Sequence, residues 1–222
     1  MVADHLAEAA PLGAGDMAIC NITDIDRARI VEAIRTAEAN TAGEIYVVIA
    51  READDFRFVP ILWAALIALI VPWPLHLLTY WSAGTILLVQ AVTFVLIAVA
   101  TSHPVIRHRI VPSSIVAEAA RKSAQAQFLS HGINLTEERT GLLIYVALSD
   151  RRVEIVADAG INGKVNQSTW DELAQEVIHA ARAGALSDGL VKVIARAGKL
   201  LAQHWPPRPL NPNELPDRVV EI

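Results

Sequence analysis

The chain has 222 residues, 53% of them hydrophobic, and its 19 Lys and Arg against 24 Asp and Glu leave a net charge of −5. That length allows one or two domains, and so mild a charge argues against nucleic acid as a partner. The single cysteine, Cys20, excludes an intrachain disulfide scaffold, while the mean hydropathy of +0.37 points to a membrane segment.

Residues 1–22 read as a flexible leader. MVADHLAEAAPLGAGDMAIC has no basic start and no long apolar core, and Asp4, Glu8 and Asp16 interrupt it, so a signal peptide is not expected. Met17-Ala18-Ile19-Cys20 has the outline of a lipoprotein cleavage box, but no apolar stretch precedes it. Thr23 with Asp26 three residues on predicts a capped helix start. Ile30, Ala33, Ile34 and Ala37 share one face of that helix, and Gly43 ends the unit. Glu44 to Ala50 follows as an unbroken apolar run, the pattern of a strand covered on both faces.

Phe58 to Ile106 contains no Asp, Glu, Lys or Arg. A stretch of that length holds two spans of about 20 residues each, expected near 58–77 and 83–102. The segment 72–82, PWPLHLLTYWS, supplies the turn, with Pro72 and Pro74 as helix breakers and Trp73, Tyr80 and Trp81 suited to the headgroup layer. Ala64 and Ala68, four residues apart, permit close helix contact. A pair of soluble core helices would need polar outer faces, and the block offers only Gln90 and a few Thr and Ser. Arg51 and Arg57 precede the first span, Arg107 and Arg109 follow the second, and the turn has no basic residue. By the bias of Lys and Arg toward the cytoplasm, both flanks and both termini are expected there, with only the turn outside.

Residues 113–128 predict an Ala-rich helix and 142–148 a second unbroken apolar strand. Residues 152–158 alternate, as a half-exposed or edge strand does, with Ser149-Asp150-Arg151 as the hairpin turn. Ser168 and Asp171 mark the start of a helix that stops at Gly184, and Asp188 starts another with Leu190, Ile194, Ala197 and Leu201 on one face. The last eighteen residues, 205–222, hold five prolines and read as an extended tail. The expected layout is a leader (1–22), a first domain segment (23–57), a transmembrane hairpin (58–106), a second domain segment (107–204) and the tail. The order of strands and helices predicts a layered α/β domain with the hairpin inserted in the crossover between its first two strands.

AGEIYVVIA, then AQAQFLSHGINLTEERTGLLIYVALSDRRVEIVADAGI, then paired helices, resembles the TPM domain family. That family includes thylakoid-lumen photosystem-repair proteins and many bacterial membrane-associated proteins. The resemblance spans roughly 23–57 and 113–204 and is most specific from Thr140 to Ile161. It implies a three-layer α/β/α sandwich, a divalent-cation site and, for some members, phosphatase activity. This sequence departs from the family pattern where the cation site is concerned. Arg139-Thr140-Gly141 stands where relatives often have Asp-Asn-Gly, Asp158-Ala159-Gly160 where they have Gly-x-Gly, and Asn166 where an Asp is common. With two acids replaced and a cation needing several hard oxygen ligands, calcium or magnesium is expected to bind weakly or not at all.

A hairpin turning at Asp150 places residue 142 opposite 158, and a right-handed crossover makes the first two strands parallel. Glu44, Glu138, Arg139, Thr140, Asp158 and Asn166 are thereby expected at one edge of the sheet, either as a pocket for a small anion or cation or as an ordinary rim with an Arg–Asp pair. Gly160 to Val165 lacks the spacing of a phosphate loop. His103 and His108 are too isolated for a metal site, and His131, His179 and His204 read as surface groups. Two functions of different class follow. One is a noncatalytic membrane-anchored module, held in the bilayer of the cytoplasmic (inner) membrane, that binds a membrane protein or small ligand in assembly, repair or envelope maintenance. The other is a cation-dependent phosphatase, which needs a nucleophile or activated water and charge stabilisation at one point.

Overall fold

A computed structural model describes residues 22–54, 58–102, 111–208 and 213–222. The leader with Cys20, the arginines Arg57, Arg107 and Arg109, and the pair His103 and His108 lie outside the described residues.

Helix α1 (Asp24–Glu38) starts on a reciprocal cap. The Thr23 hydroxyl accepts from the Asp26 amide at 3.1 Å, and the Asp26 carboxylate accepts from the Thr23 amide at 3.3 Å. Asp26 thus does the work that Glu or Gln does in the usual capping box. The chain then enters β1 (Glu44–Ala50), whose seven residues are all buried. After the apolar block and the crossover helix α5 (Ser113–Ser130) it forms β2 (Gly141–Ala147), again buried throughout, and returns in β3 (Arg152–Ala157), buried at every second residue. Between these lies the apolar hairpin: α2 (Phe58–Ile70), α3 (Pro72–Leu78) and α4 (Ala83–Ser102).

β1 and β2 are parallel neighbours, with Glu44 beside Gly141 and Ala50 beside Ala147. β2 and β3 are antiparallel with Leu142 opposite Ala157, one residue from the expected register. The turn is the cause. It uses four residues, Leu148 to Arg151, and Arg151 takes the left-handed conformation (φ 53°) to close it.

The helices α7 (Gln167–Arg182) and α8 (Leu186–His204) pack with α1 on one face of the sheet. Their buried residues, among them Ile34, Trp170, Leu173, Val193 and Ile194, meet Val47, Ile144 and Ile155 of the strands. α5 covers the opposite face, where Ala124, Phe128 and Ile133 meet Tyr46, Val48, Leu143 and Tyr145. The result is a three-layer α/β/α sandwich. The sheet has a fourth strand, β4 (Val219–Glu221), at the outer edge of β1, giving the order β3-β2-β1-β4. The tail expected as an extended segment therefore returns to the sheet: Val219 pairs with Val47, and the Ile222 amide donates to the Ile49 carbonyl at 3.0 Å.

The hairpin leaves from the carboxyl end of β1. Phe58 to Leu78 and Ala83 to Thr101 are each long and apolar enough to cross a membrane. Ala64 and Ala68 are buried between the paired helices, so their small side chains let α2 and α4 approach. The large side chains point outward: Leu69 is 63% exposed and Leu88 66%. α2 ends at Ile70, just before Pro72, so the helix is broken there as expected, but Pro72 and Pro74 do not lie in a turn. They occupy the first turn of α3, where the missing amide hydrogens cost nothing, and the turn contracts to Thr79–Ser82. Val59 and Val111, with Val116 and Ala119 against them, join the root of the hairpin to α5.

The start of β2 tolerates no side chain. A Cβ on Gly141 would sit 2.4 Å from the Ile133 carbonyl oxygen and 2.5 Å from its side chain. Gly141→Ala is expected to destabilise the chain by about 1–3 kcal/mol through overpacking, measured by chemical unfolding in detergent micelles.

Candidate functional site

Strand order fixes the first row of polar groups. Glu44 and Asp158 flank Gly141 on either side, Glu44 through the β1–β2 register and Asp158 through its amide, which donates to the Gly141 carbonyl at 2.9 Å. The Ile133 turn fills the space over Gly141 between them. The two acids thus share an edge of the sheet and serve separate sets of partners.

Asp158 follows β3 directly and caps the short helix α6 (Ala159–Asn162), its Oδ1 accepting from the Ala159 amide at 2.6 Å. Arg139 lies 3.9 Å from the same oxygen with its side chain largely in solvent. The buried Oδ2 has no hydrogen-bond partner among the described residues. Arg139 takes a left-handed conformation (φ 56°), and its carbonyl accepts from the Gly160 amide at 3.1 Å. Gly160 is required there, because a Cβ would come within 2.6 Å of the carbonyl oxygens of both Glu138 and Arg139. Thr140 is buried with its groups fully used: the hydroxyl donates to Ala42, the amide to the Thr136 hydroxyl, and the carbonyl accepts from Glu44.

Two of the six expected residues have other work. Asn166 is the N-cap of α7, its side chain accepting from the Ser168 amide at 3.3 Å. It takes the role expected of Ser168 and Asp171. Glu138 is exposed and lies 3.7 Å from Arg208, a cation that also meets Glu137 at 2.7 Å and Glu214 at 3.2 Å. The donor set does not fit a divalent cation. Such an ion takes six or more oxygen ligands, whereas Asp158 offers one free carboxylate oxygen beside an arginine, and no group of three His, Cys, Asp or Glu among the described residues is placed to hold a metal.

Glu44 is only 4% exposed, and burial raises its pKa against the opposing pull of two amides. Those amides belong to Glu214 and Leu215, each 3.3 Å from a carboxylate oxygen. Nothing near Glu44 in sequence signals that the tail reaches this acid. Glu38 adjoins it. Its carboxyl accepts from the Ile45 amide at 2.7 Å and shares a hydrogen bond with Asp217, which also accepts from Arg35 at 3.1 Å. Burial, reinforced by the charges of Glu44 and Asp217, pushes Glu38 up to about 9. It therefore carries a proton at neutral pH and donates it to Asp217. His131, expected on the surface, stacks against Tyr46 with ring centroids 4.9 Å apart, and the Tyr46 hydroxyl accepts from Arg218 at 3.1 Å. Burial and the Arg218 charge hold His131 below its ordinary pKa.

Glu38 carries a pH signature. Between its ordinary 4.5 and about 9 the folded chain holds a proton that the unfolded chain has released. Stability contributed by this group therefore falls as pH rises through that window and is level above it. Glu38→Gln keeps an acceptor for Ile45 and a donor for Asp217 without the proton. The variant is expected to melt several degrees higher than the parent at pH 8 and at nearly the same temperature at pH 4.5, read by thermal unfolding in detergent.

Residues 96–200 match the family model described as the TPM domain. No curated protein matches. Among solved structures, the NMR structure of the BA42 protein from the psychrophilic bacterium Bizionia argentinensis is similar, with a TM-score of 0.58 and 22% identity, over 90% of this chain and 94% of that one. At that identity the likeness concerns the fold. The family match takes in the crossover helix, the strand-turn-strand and most of the paired helices. Residues 96–200 are thus similar to the TPM domain, and the apolar hairpin lies between the first two strands of the sheet.

Proposed function

We propose that this chain is a noncatalytic TPM module anchored in the cytoplasmic membrane by its hairpin, binding a membrane protein or small ligand in assembly, repair or envelope maintenance. The observation that carries the reading is the outward face of the hairpin. α2 and α4 bury Ala64, Ala68 and Ile86 and turn most of their leucine, isoleucine and valine outward, the arrangement that lipid accepts and water does not. The domain hangs below from the carboxyl end of β1. Arg51, Arg151 and Arg152 flank that end, and each gains about 1 kcal/mol beside an anionic leaflet. The polar edge at Glu44 and Asp158 lies at the opposite end of the strands, turned to the cytoplasm.

The absence of catalytic machinery from this reading rests on chemistry. Hydrolysis needs a nucleophile or activated water and charge stabilisation converging on one point. Here Thr140 is fully engaged, Glu44 is held by backbone amides, and Asp158 caps α6 with Arg139 as its one charged neighbour among the described residues.

Two measurements test the proposal. On a Cys20→Ser background, cysteines at Ser82 and Ala183 report topology with an impermeant thiol reagent in intact cells: labelling at 82 and protection at 183 are expected, and the reverse overturns the orientation. The full chain in vesicles is expected not to hydrolyse p-nitrophenyl phosphate with magnesium or calcium. Turnover that disappears in Asp158→Asn overturns the noncatalytic reading in favour of a phosphatase.

A further inference from the structure

The outer edge of β1 is covered by a segment of particular chemistry. Residues 213–222 make four kinds of contact there. The Glu214 and Leu215 amides meet the buried Glu44 carboxylate. Leu215 and Val219 enter the two apolar clusters on either face of the sheet. The strand adds a backbone ladder in which Arg51 donates to Ile222 at 2.9 Å. Asp217 and Glu221 meet Arg35 and Arg27 of α1, at 3.1 and 2.5 Å.

The spacing of the last pair is a matter of geometry. Arg27 and Arg35 are eight helical residues apart, about 12 Å along α1. Asp217 and Glu221 are four extended residues apart, about 13 Å. A helix alongside a strand edge thus presents two cations at the interval of acids placed four apart on an extended peptide. Glu44 adds an acceptor for the peptide's amides, and the outer edge of β1 adds the ladder. These are the ingredients of recognition by strand addition, in which main-chain bonds hold the peptide and side chains select it.

The segment's own hold is modest. Its strand has three residues, Pro216 offers no amide hydrogen, and the Arg27 and Glu221 side chains are about half exposed, where water screens an ion pair. Short, solvent-facing elements of this kind open at lower free energy than the core.

We propose that the outer edge of β1, with Arg27, Arg35 and Glu44, is a docking strip for an extended acidic segment of a partner protein, of pattern aliphatic-x-acid-x-aliphatic-aliphatic-acid, and that the chain's own residues 215–221 occupy it in cis until such a segment displaces them. This rests on the binding-module reading and names the partner class of that module.

The probe is a fluorescein-labelled synthetic peptide of residues 213–222, titrated by anisotropy against the full chain in detergent micelles. Saturable binding is expected. Weakening the cis segment with Asp217→Asn and Glu221→Gln is expected to tighten peptide binding by about fivefold or more, because the strip is then open for a larger fraction of the time. A peptide carrying the same two changes is expected to bind more weakly than the parent peptide. Locking the segment with a disulfide between Val47→Cys and Val219→Cys, on a Cys20→Ser background, is expected to abolish binding until the bond is reduced. Hydrogen exchange reads the unaltered protein: the Arg51 and Ile222 amides are expected to exchange about tenfold or more faster than those of β2. Equal protection, an absence of saturable binding, or binding indifferent to the lock overturns the inference. Where the same chain also hydrolyses no phosphate ester, that failure leaves the binding-module reading standing.

Discussion

β1 is the strand on which the other parts depend. It is parallel to β2 on one side and β4 on the other, and none of its residues reaches solvent to any extent. A strand so placed needs apolar side chains on both faces, which is why Ile45 to Ala50 carries no alternation. It also needs cover from two layers, and α1, α7 and α8 supply one while α5 supplies the other. The exception is Glu44, at the first position, where a carboxylate is held by burial among amides. The hairpin begins a few residues past one end of β1, and the acids gather at the other. The polarity of a single strand therefore separates the apolar end of the molecule from its charged end.

Much of this was written locally in the sequence. Thr23 and Asp26 sit at capping distance and cap α1. The two unbroken apolar runs became the two fully buried strands, and the half-alternating run became β3. The charge-free block yielded two long apolar helices because nothing in it can face water at helical spacing. The prolines at 72 and 74 marked the end of α2 and misled only about the turn, since a proline in the first turn of a helix is as favourable as one in a loop.

What escaped was non-local. Val219-Val220-Glu221 is too short to show a period, and the five prolines that precede it make it read as a tail. Its place in the sheet is decided by Arg27, Arg35 and Glu44, which are some 170 to 195 residues away in the chain. Glu38 raised no flag either, because nothing near it in sequence reveals that Asp217 will lie beside it. Asn166 is the opposite case. Its local role as a helix cap was legible from Asn followed by Gln167 and Ser168, yet alignment to an acid in relatives drew attention to ligand chemistry. Loss of an acid there removes a ligand and keeps a cap, since Asn and Asp are equally good N-caps.

The connection from β1 to β2 has a consequence for biosynthesis. Ninety residues separate Ala50 from Gly141, and at ordinary rates of translation they take about 5–18 s to emerge. For that interval β1 exists with neither neighbour in place, because β2 follows the hairpin and β4 is made last. A fully apolar strand with two open edges is the kind of segment that aggregates or recruits a chaperone. The hairpin is therefore complete in the chain before β2 and β4 exist, and β1 waits while the strands that close the sheet are still being synthesised.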